Sequence, residues 1–403
     1  MKDAFIYDIV RTPRGMGHHG GALHEIKTVD LLAAALAALC QRSGIQSDLV
    51  EDIILGCVQP DDDQGFNLAT AAALATAWPG NISGLQLSRH AASGLEAINL
   101  AATKIRSGWG NTFIAGGVES MSRVRKSEHE SPLWQDPELL AGGSAIPPGI
   151  SADLIATQEG FTREALDAWA ARSRRQALLA WENGWFGKSI IPIYDRNQLG
   201  ILDRDEFLLA PAIDEEACKH LDPAFSNLGT QGFDSMALHR FPEIESIHHL
   251  HTQANSSFSA DGAALALLGN GAVDDKGKKL HPRAKIIGLA NVCEDPMQGA
   301  AAAAKAAKKA LHLAGLQASA IDLWECAELY AADALKFQLD MGIDTDKLNV
   351  NGGAIATGCP LGAHSAMLLS ALIDELERRG QNRGVVAVYT HDGMGVATVI
   401  ECC

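Results

Sequence analysis

At 403 residues the chain suits one large or two closely packed α/β domains, and its 47% hydrophobic content permits a sizeable buried core. Aromatics make up only 5% against 39 glycines and long alanine runs, a composition for helices packed tightly on sheets rather than for an aromatic-rich barrel. The formal charge of −16 argues against nucleic acid or an anionic membrane surface as partner, since both call for a basic footprint.

The opening AFIYDIVRTP reads as a strand ended by Arg11-Thr12-Pro13. Lys2, Asp3 and Asp8 in the first ten residues argue against a signal peptide, and no apolar run approaches the ~20 residues of a membrane span. A cytoplasmic location is the expectation. Thr28 and Asp30 start an Ala/Leu-rich helix that runs to about Gln41, and EDIILGCV is a second buried strand. In LSRHAASGLEAINLAATKIRSG the apolar residues Leu95, Ile98, Leu100 and Ile105 with a closing Gly108 predict a helix beginning near Ala91 or Ser93. NTFIAGGVESMS returns as a strand, and this alternation predicts a parallel sheet covered on both faces.

From about Arg123 to Leu250 the periodicity is irregular, with a helix over Thr162 to Asn183 inside an inserted loop region. The acidic clusters Asp61 to Asp63 and Asp214 to Glu216 read as solvated loops. After Asn255 the alternation repeats the first half in outline. AKIIGLANV matches AFIYDIV, GGAIATGCPLGAHSAMLLSALIDEL matches the helix after Ala91, and GVVAVYTHDGMG matches NTFIAGGVESMS. In both halves a glycine-containing loop runs into a helix, whose free amides can serve a nucleophile or an oxyanion. Eight cysteines lie scattered without a CxxC pair or zinc spacing, so neither a disulfide scaffold nor a structural metal is expected.

The blocks VRTPRG…GALHE, LSRHAASGLEAINLAA, GGVESMSR, ISADLIATQEGF, HTQANSSFSADGAA, NGGAIATGCPLGAHSAM and GMGVATVIE together resemble, in order and spacing, the signature blocks of the thiolases, and are most similar to the β-oxidation type, acetyl-CoA C-acyltransferase. The resemblance runs from about residue 5 to 401. It implies the α/β thiolase fold, a duplicated five-layer αβαβα core. An N-terminal half would span 1–270, including a loop domain over about 123–250, and a C-terminal half 271–403. Dimers or tetramers are usual in such a family.

The resemblance also implies where chemistry should sit. The nucleophilic cysteine position is Ala91 within Ser88-Arg89-His90-Ala91-Ala92-Ser93-Gly94, and the activating histidine position is Cys359. Tyr389 stands for the second cysteine and Ala327 for the asparagine that holds a water. A methyl and a phenol offer no thiolate, so ordinary thiolysis through Ala91 is excluded. Ser257 matches the serine that meets the pantetheine arm of coenzyme A, while Phe258 replaces a neighbouring glycine and puts coenzyme A thioester binding in question; no tightly bound cofactor is expected.

Two readings follow. In the first, Cys359 is a relocated nucleophile, His391 or His90 its base, Asp392 an orienting acid and Tyr389 a proton donor, acting on a small-molecule acyl substrate, a thioester or related ketone. In the second, the chain is a catalytically inactive subunit in a hetero-oligomer with an active homologue. Cys359, His391, His90 and Asp392 also have metal-ligand chemistry, but no ligand spacing supports a metal. Cys326 reads as a buried thiol beside the pocket. His18, His19, His248, His249 and His251 read as surface or satisfied core residues.

Overall fold

The computed structural model describes residues 2–76, 82–124, 136, 138, 145–209, 215–272 and 277–403; Asp214 of the second acidic cluster lies outside the described residues. Strand β1 (Ala4–Arg11) is buried along almost all of its length, and Pro13 then withholds the amide that a longer ladder would need. After β2 (Gly15–Met16), α1 (Thr28–Ser43) closes on Gly44, whose φ of 67° is the left-handed cap that glycine adopts without strain. The N-terminal half continues with β3 (Asp52–Gly56), α2 (Leu68–Ala75), β4 (Ser83–Leu87), α3 (Ser93–Ser107) and β5 (Thr112–Ser120).

The irregular region folds into α4 (Pro148–Glu159), α5 (Arg163–Glu182), the hairpin β6 (Ile193–Tyr194) and β7 (Gly200–Leu202), and α6 (Asp234–Arg240). Thr162 caps α5 by accepting a bond from the amide of Ala165 at 3.2 Å. Ile146, Ile150, Leu154, Ala237 and Ile247 of this region form a separate core with Met297 from the C-terminal half. The chain then forms β8 (Ala260–Gly269), β9 (Ala284–Cys293), α7 (Ala301–Ala314), β10 (Leu323–Cys326), α8 (Ala331–Met341) and α9 (Ala354–Thr357). It ends with α10 (Leu361–Arg379), β11 (Arg383–Tyr389) and β12 (Met394–Cys402).

The main ladder runs β10-β11-β12-β9-β1-β8-β5-β3-β4. Read outward from its centre, β9-β12-β11-β10 mirrors β1-β8-β5-β3, which is the duplication seen in the sequence. The halves join through three residue pairs of β1 and β9, Ala4 with Ile286, Phe5 with Lys285 and Ile6 with Ala284. The sheet is mixed rather than parallel. Parallel pairing is confined to β3 with β4, β3 with β5 and β10 with β11, because β8 and β12 return antiparallel beside β5 and β11. The four residues 390–393 between β11 and β12 allow only a reversal, since a parallel neighbour needs a crossover of a dozen residues or more.

Helices α1 and α2 cover the outer face of the N-terminal strands, α7 covers the outer face of β9, β11 and β12, and α3 and α10 lie together between the two sets of strands. This is the five-layer arrangement. The middle layer is tight: a Cβ on Gly117 would stand 1.9 Å from the carbonyl oxygen of Gly362, and one on Gly94 would stand 2.8 Å from the same atom.

Candidate functional site

The close crossing of α3 and α10 brings the turns that precede them to one place. Buried Glu119 stitches that place by accepting bonds from the amides of Val58 at 2.9 Å, Gln59 at 3.2 Å and Gly362 at 2.9 Å, and from Gln64 Nε2 at 2.6 Å. The Leu95 amide on α3 also donates to Ser365 Oγ on α10 at 2.9 Å.

On the N-terminal side, Ala91 is buried and belongs to the main core cluster with Cys359, Tyr389 and Ala327. Its turn is held by Ser93, whose hydroxyl donates to the His90 carbonyl at 2.6 Å and accepts from the Arg89 amide at 2.8 Å. His90 adopts φ 46°, a left-handed conformation that costs a non-glycine residue on the order of 1–3 kcal/mol. Its Nε2 lies 3.6 Å from Asp392 Oδ2 on the turn between β11 and β12, so one contact ties the two halves together. Burial opposes ionisation of Asp392, but His90 and a bond donated by the Thr390 hydroxyl outweigh it and bring its pKa down to about 2. His391, predicted as an alternative base, sets its ring edgewise to Tyr389 with centroids 6.1 Å apart.

On the C-terminal side, Cys359 is 4% exposed and stands two residues before the first residue of α10. Its amide donates to the Phe258 carbonyl at 2.8 Å. Phe258 stacks on Phe207 at 5.4 Å, and Phe207 presses on Gly358, where a Cβ would meet its ring at 2.5 Å. Ser257 is half-buried and its amide donates to the Leu329 carbonyl at 2.7 Å. Arg14, one residue of the opening block that sequence reasoning did not single out, is within electrostatic reach of Cys359. Burial lowers its pKa to about 10, still far above neutrality, so it stays cationic. Asp205 holds it through Arg14 Nη1 at 3.2 Å and through its amide at 2.8 Å, while Arg11 Nη1 donates to the same carboxylate at 2.7 Å.

Beyond these turns lies a buried polar layer. Ala327 is buried with its amide on the Ala387 carbonyl at 3.2 Å. The neighbouring Glu328 carboxylate accepts from Trp169 Nε1 at 3.0 Å, Ser173 Oγ at 2.5 Å and Asn349 Nδ2 at 3.0 Å. Burial, with Glu328 and Glu375 nearby, pushes the Glu325 carboxyl well above its ordinary range, and burial pushes the Cys326 thiol up as well. Cys326 is therefore a structural thiol. Burial, assisted by the charge of Arg14, lowers His364 to about 3, which leaves that ring neutral. Tyr389 donates its hydroxyl to Asp333 on α8. Asp333 was missed because a lone acid in the apolar helix AADALKF carries no motif; its signal is the acid itself on a buried face.

Along α5 a cavity of about 840 Å³ is lined by Arg163, Arg174, Arg175 and Lys219 and also by Ala254 and Ile355. Ala254 lies three residues before Ser257 and Ile355 four residues before Cys359. Among the described residues no cluster of three or more His, Cys, Asp or Glu side chains is arranged to hold a metal, and no helix is long and apolar enough to cross a membrane.

Comparison with known proteins agrees with this architecture. The Thiolase, N-terminal domain family matches residues 4–232 and the Thiolase, C-terminal domain family residues 280–402. The 3-ketoacyl-CoA thiolase of Cronobacter sakazakii is 33% identical over 409 residues, with all of both chains covered. That of Bacillus subtilis is 33% identical over 418 residues, again over the full length of both. The crystal structure of the Bacillus anthracis acetyl-CoA acetyltransferase superposes with a TM-score of 0.83 at 30% identity, covering 100% of this chain and 99% of that one.

Proposed function

The chain belongs to the thiolase family of acyltransferases, and from that premise we propose that it performs acyl transfer or carbon–carbon bond chemistry on an acyl thioester or related ketone at an unconventional site. The observation that carries this reading is the setting of Cys359, a thiol two residues before the 19-residue helix α10 and within electrostatic reach of the buried Arg14 guanidinium. A helix N-terminus and a fixed cation are the surroundings in which a thiolate nucleophile is stabilised. Ala91, at the position where the family keeps its nucleophile, has only a methyl group to offer. Cys359 is the nucleophile in this reading. His90, oriented by Asp392, or His391 takes its proton, and Tyr389 handles a proton on the substrate.

The α5 cavity supports an acyl-CoA substrate. Arg174 and Arg175 in its lining suit the phosphates, Arg163 and Lys219 being paired with Asp167 and Glu216, and Ala254 and Ile355 place the lining close in sequence to Ser257 and Cys359. Because the Phe258–Phe207 stack packs against Gly358, the arm of the thioester has to pass to one side of it. That same stack favours the second reading, an inactive subunit beside an active homologue. A dimer or larger assembly is supported by β4, whose partner in the described sheet is β3, and by the exposed Leu85 and Phe66 near that edge.

The test is intact-mass spectrometry after incubation with a panel of acyl-CoA thioesters, followed by peptide mapping. An acyl adduct on Cys359 is expected. No adduct on any residue, together with a stable complex with a homologous subunit, would replace the first reading by the second.

A further inference from the structure

Asp333 is the third residue of α8 and is 3% exposed. Its Oδ2 accepts two bonds, one from the Tyr330 amide at 2.9 Å and one from the Tyr389 hydroxyl. The first caps the helix, as an acid at this position often does. The second has no part in capping. It joins the carboxylate to the last residue of β11, beside His391 and within reach of a charge on Cys359.

The end of α8 that carries Asp333 is itself held. The Ala332 amide donates to His251 Nε2 at 3.4 Å, and the His251 ring meets the Tyr330 ring edgewise at 5.6 Å. On its other side His251 Nδ1 donates to Asp153 Oδ1 at 2.7 Å, as the bond accepted by Nε2 requires. Asp153 also accepts from the amides of Leu250 and His251, each at 3.0 Å, and its other oxygen meets His249 Nδ1 at 2.9 Å. His249 Nε2 in turn meets Asp234 Oδ2 at 3.1 Å. Four side chains thus buttress the helix end from which Asp333 reaches the β11 strand end. A mere cap needs none of this.

We infer that Tyr389 and Asp333 form a two-residue proton shuttle for the α-carbon of the acyl substrate, with His251 and Asp153 as positioning residues that hold the carboxylate against the phenol. This rests on the acyl-thioester reading above. In the forward step the substrate C–H bond breaks and its proton passes to the Tyr389 oxygen. The phenolic proton passes at the same time to Asp333 Oδ2, and the electron pair remains on the substrate as an enolate. In the reverse step the neutral carboxyl returns a proton through the phenol and the carbanion is quenched. Tyr389 stays neutral throughout, so the step needs no tyrosinate, which burial and the charge of Asp333 make hard to form. Burial raises Asp333 to about 7 despite the bonds from Tyr389 and Tyr330, so the carboxyl exchanges protons near neutral pH. The groups that face it are Tyr389 from β11, His251 from the segment before β8, Tyr330 at the cap, and Cys326 and Glu328 from the end of β10.

Two measurements test the shuttle. The chain has four tyrosines, so in protein labelled with 13C at tyrosine Cζ the Tyr389 signal is the one lost in Tyr389→Phe. Its shift is expected to inflect near pH 7, to lose that inflection in Asp333→Asn, and to move it in His251→Gln while the fold is kept. The second measurement is deuterium uptake at the α-carbon of acetyl-CoA and butyryl-CoA in D2O. Uptake should fall by at least about 100-fold in Tyr389→Phe and in Asp333→Asn. Uptake that survives in Asp333→Asn at the wild-type rate overturns the shuttle and leaves the acyl-thioester reading standing. No uptake by the wild-type protein also overturns the shuttle, as does an inflection that ignores Asp333→Asn, and the acyl-thioester reading is then judged separately by the adduct on Cys359.

Discussion

The turn before α3 and the turn before α10 are equivalent elements of the two repeats, yet they present opposite chemistry. The N-terminal turn is over-determined: Ser93 bonds it twice, His90 accepts a strained backbone, and the residue it delivers is Ala91, a buried methyl. The C-terminal turn delivers a thiol, and a buried cation from the far end of the chain stands near it. Equal scaffolding therefore does not fix which half does the work. The side chain and its electrostatic surroundings decide, since function belongs to the site and not to the fold.

The largest effect is expected from exchanging the two turns. Cys359→Ser should abolish acylation by acyl-CoA, and the double variant Ala91→Cys with Cys359→Ser should not restore it, because Arg89, the guanidinium of the N-terminal turn, is paired with Glu96 at 3.5 Å. Mass spectrometry of both proteins checks this, and an adduct on the new cysteine would break the comparison. Next comes the shared packing beneath both turns. Gly117→Ala forces a Cβ to 1.9 Å from the Gly362 carbonyl oxygen and should cost about 3 kcal/mol in urea unfolding. A loss under 1 kcal/mol would mean that the turns are not held by that crossing. The smallest effect concerns the contact that joins the turns. Asp392 is depressed from 3.8 to about 2, burial opposing and the bonds from His90 and Thr390 prevailing. A depressed carboxyl contributes stability above its ordinary value of 3.8 and loses it as pH falls through about 2. After screening of a half-exposed pair the contribution is about 1 kcal/mol. The melting temperature of Asp392→Asn should thus lie about 1 °C below wild type at pH 6, and the two should converge near pH 2.

Much of the fold was legible because local signals agree. The closing Gly108, the apolar stripe of α3 and the start of α5 at Thr162 all act within one element, while α1 runs past the expected Gln41 to Ser43, where Gly44 caps it. The expectation of a parallel sheet failed because strand direction depends on connections. The inserted region between β5 and β8 and the four residues after β11 both bring the chain back antiparallel. At the site, the sequence could point to His90 and Cys359 in the two equivalent turns and to Tyr389 and Asp392 at the end of β11 and after it as unusual residues. It could not show that Asp392 meets His90, since the two lie in different halves. Tyr389 was expected to donate to a substrate, and the structure adds that its hydroxyl already donates to Asp333. His249 and His251 were read as surface or satisfied core residues, and both are satisfied by Asp153.

What the sequence by itself determined is the set of elements, their duplication, and the residue types at the two turns, because these rest on periodicity and on neighbours within a few positions. Only the tertiary structure decided that Arg14 lies within electrostatic reach of Cys359, that Asp333 accepts a hydrogen bond from the Tyr389 hydroxyl, and that Asp153 anchors His251. Those pairings join residues separated by tens to hundreds of positions. A charge or hydrogen bond acts through a few ångströms of space, and only the packed chain sets that distance.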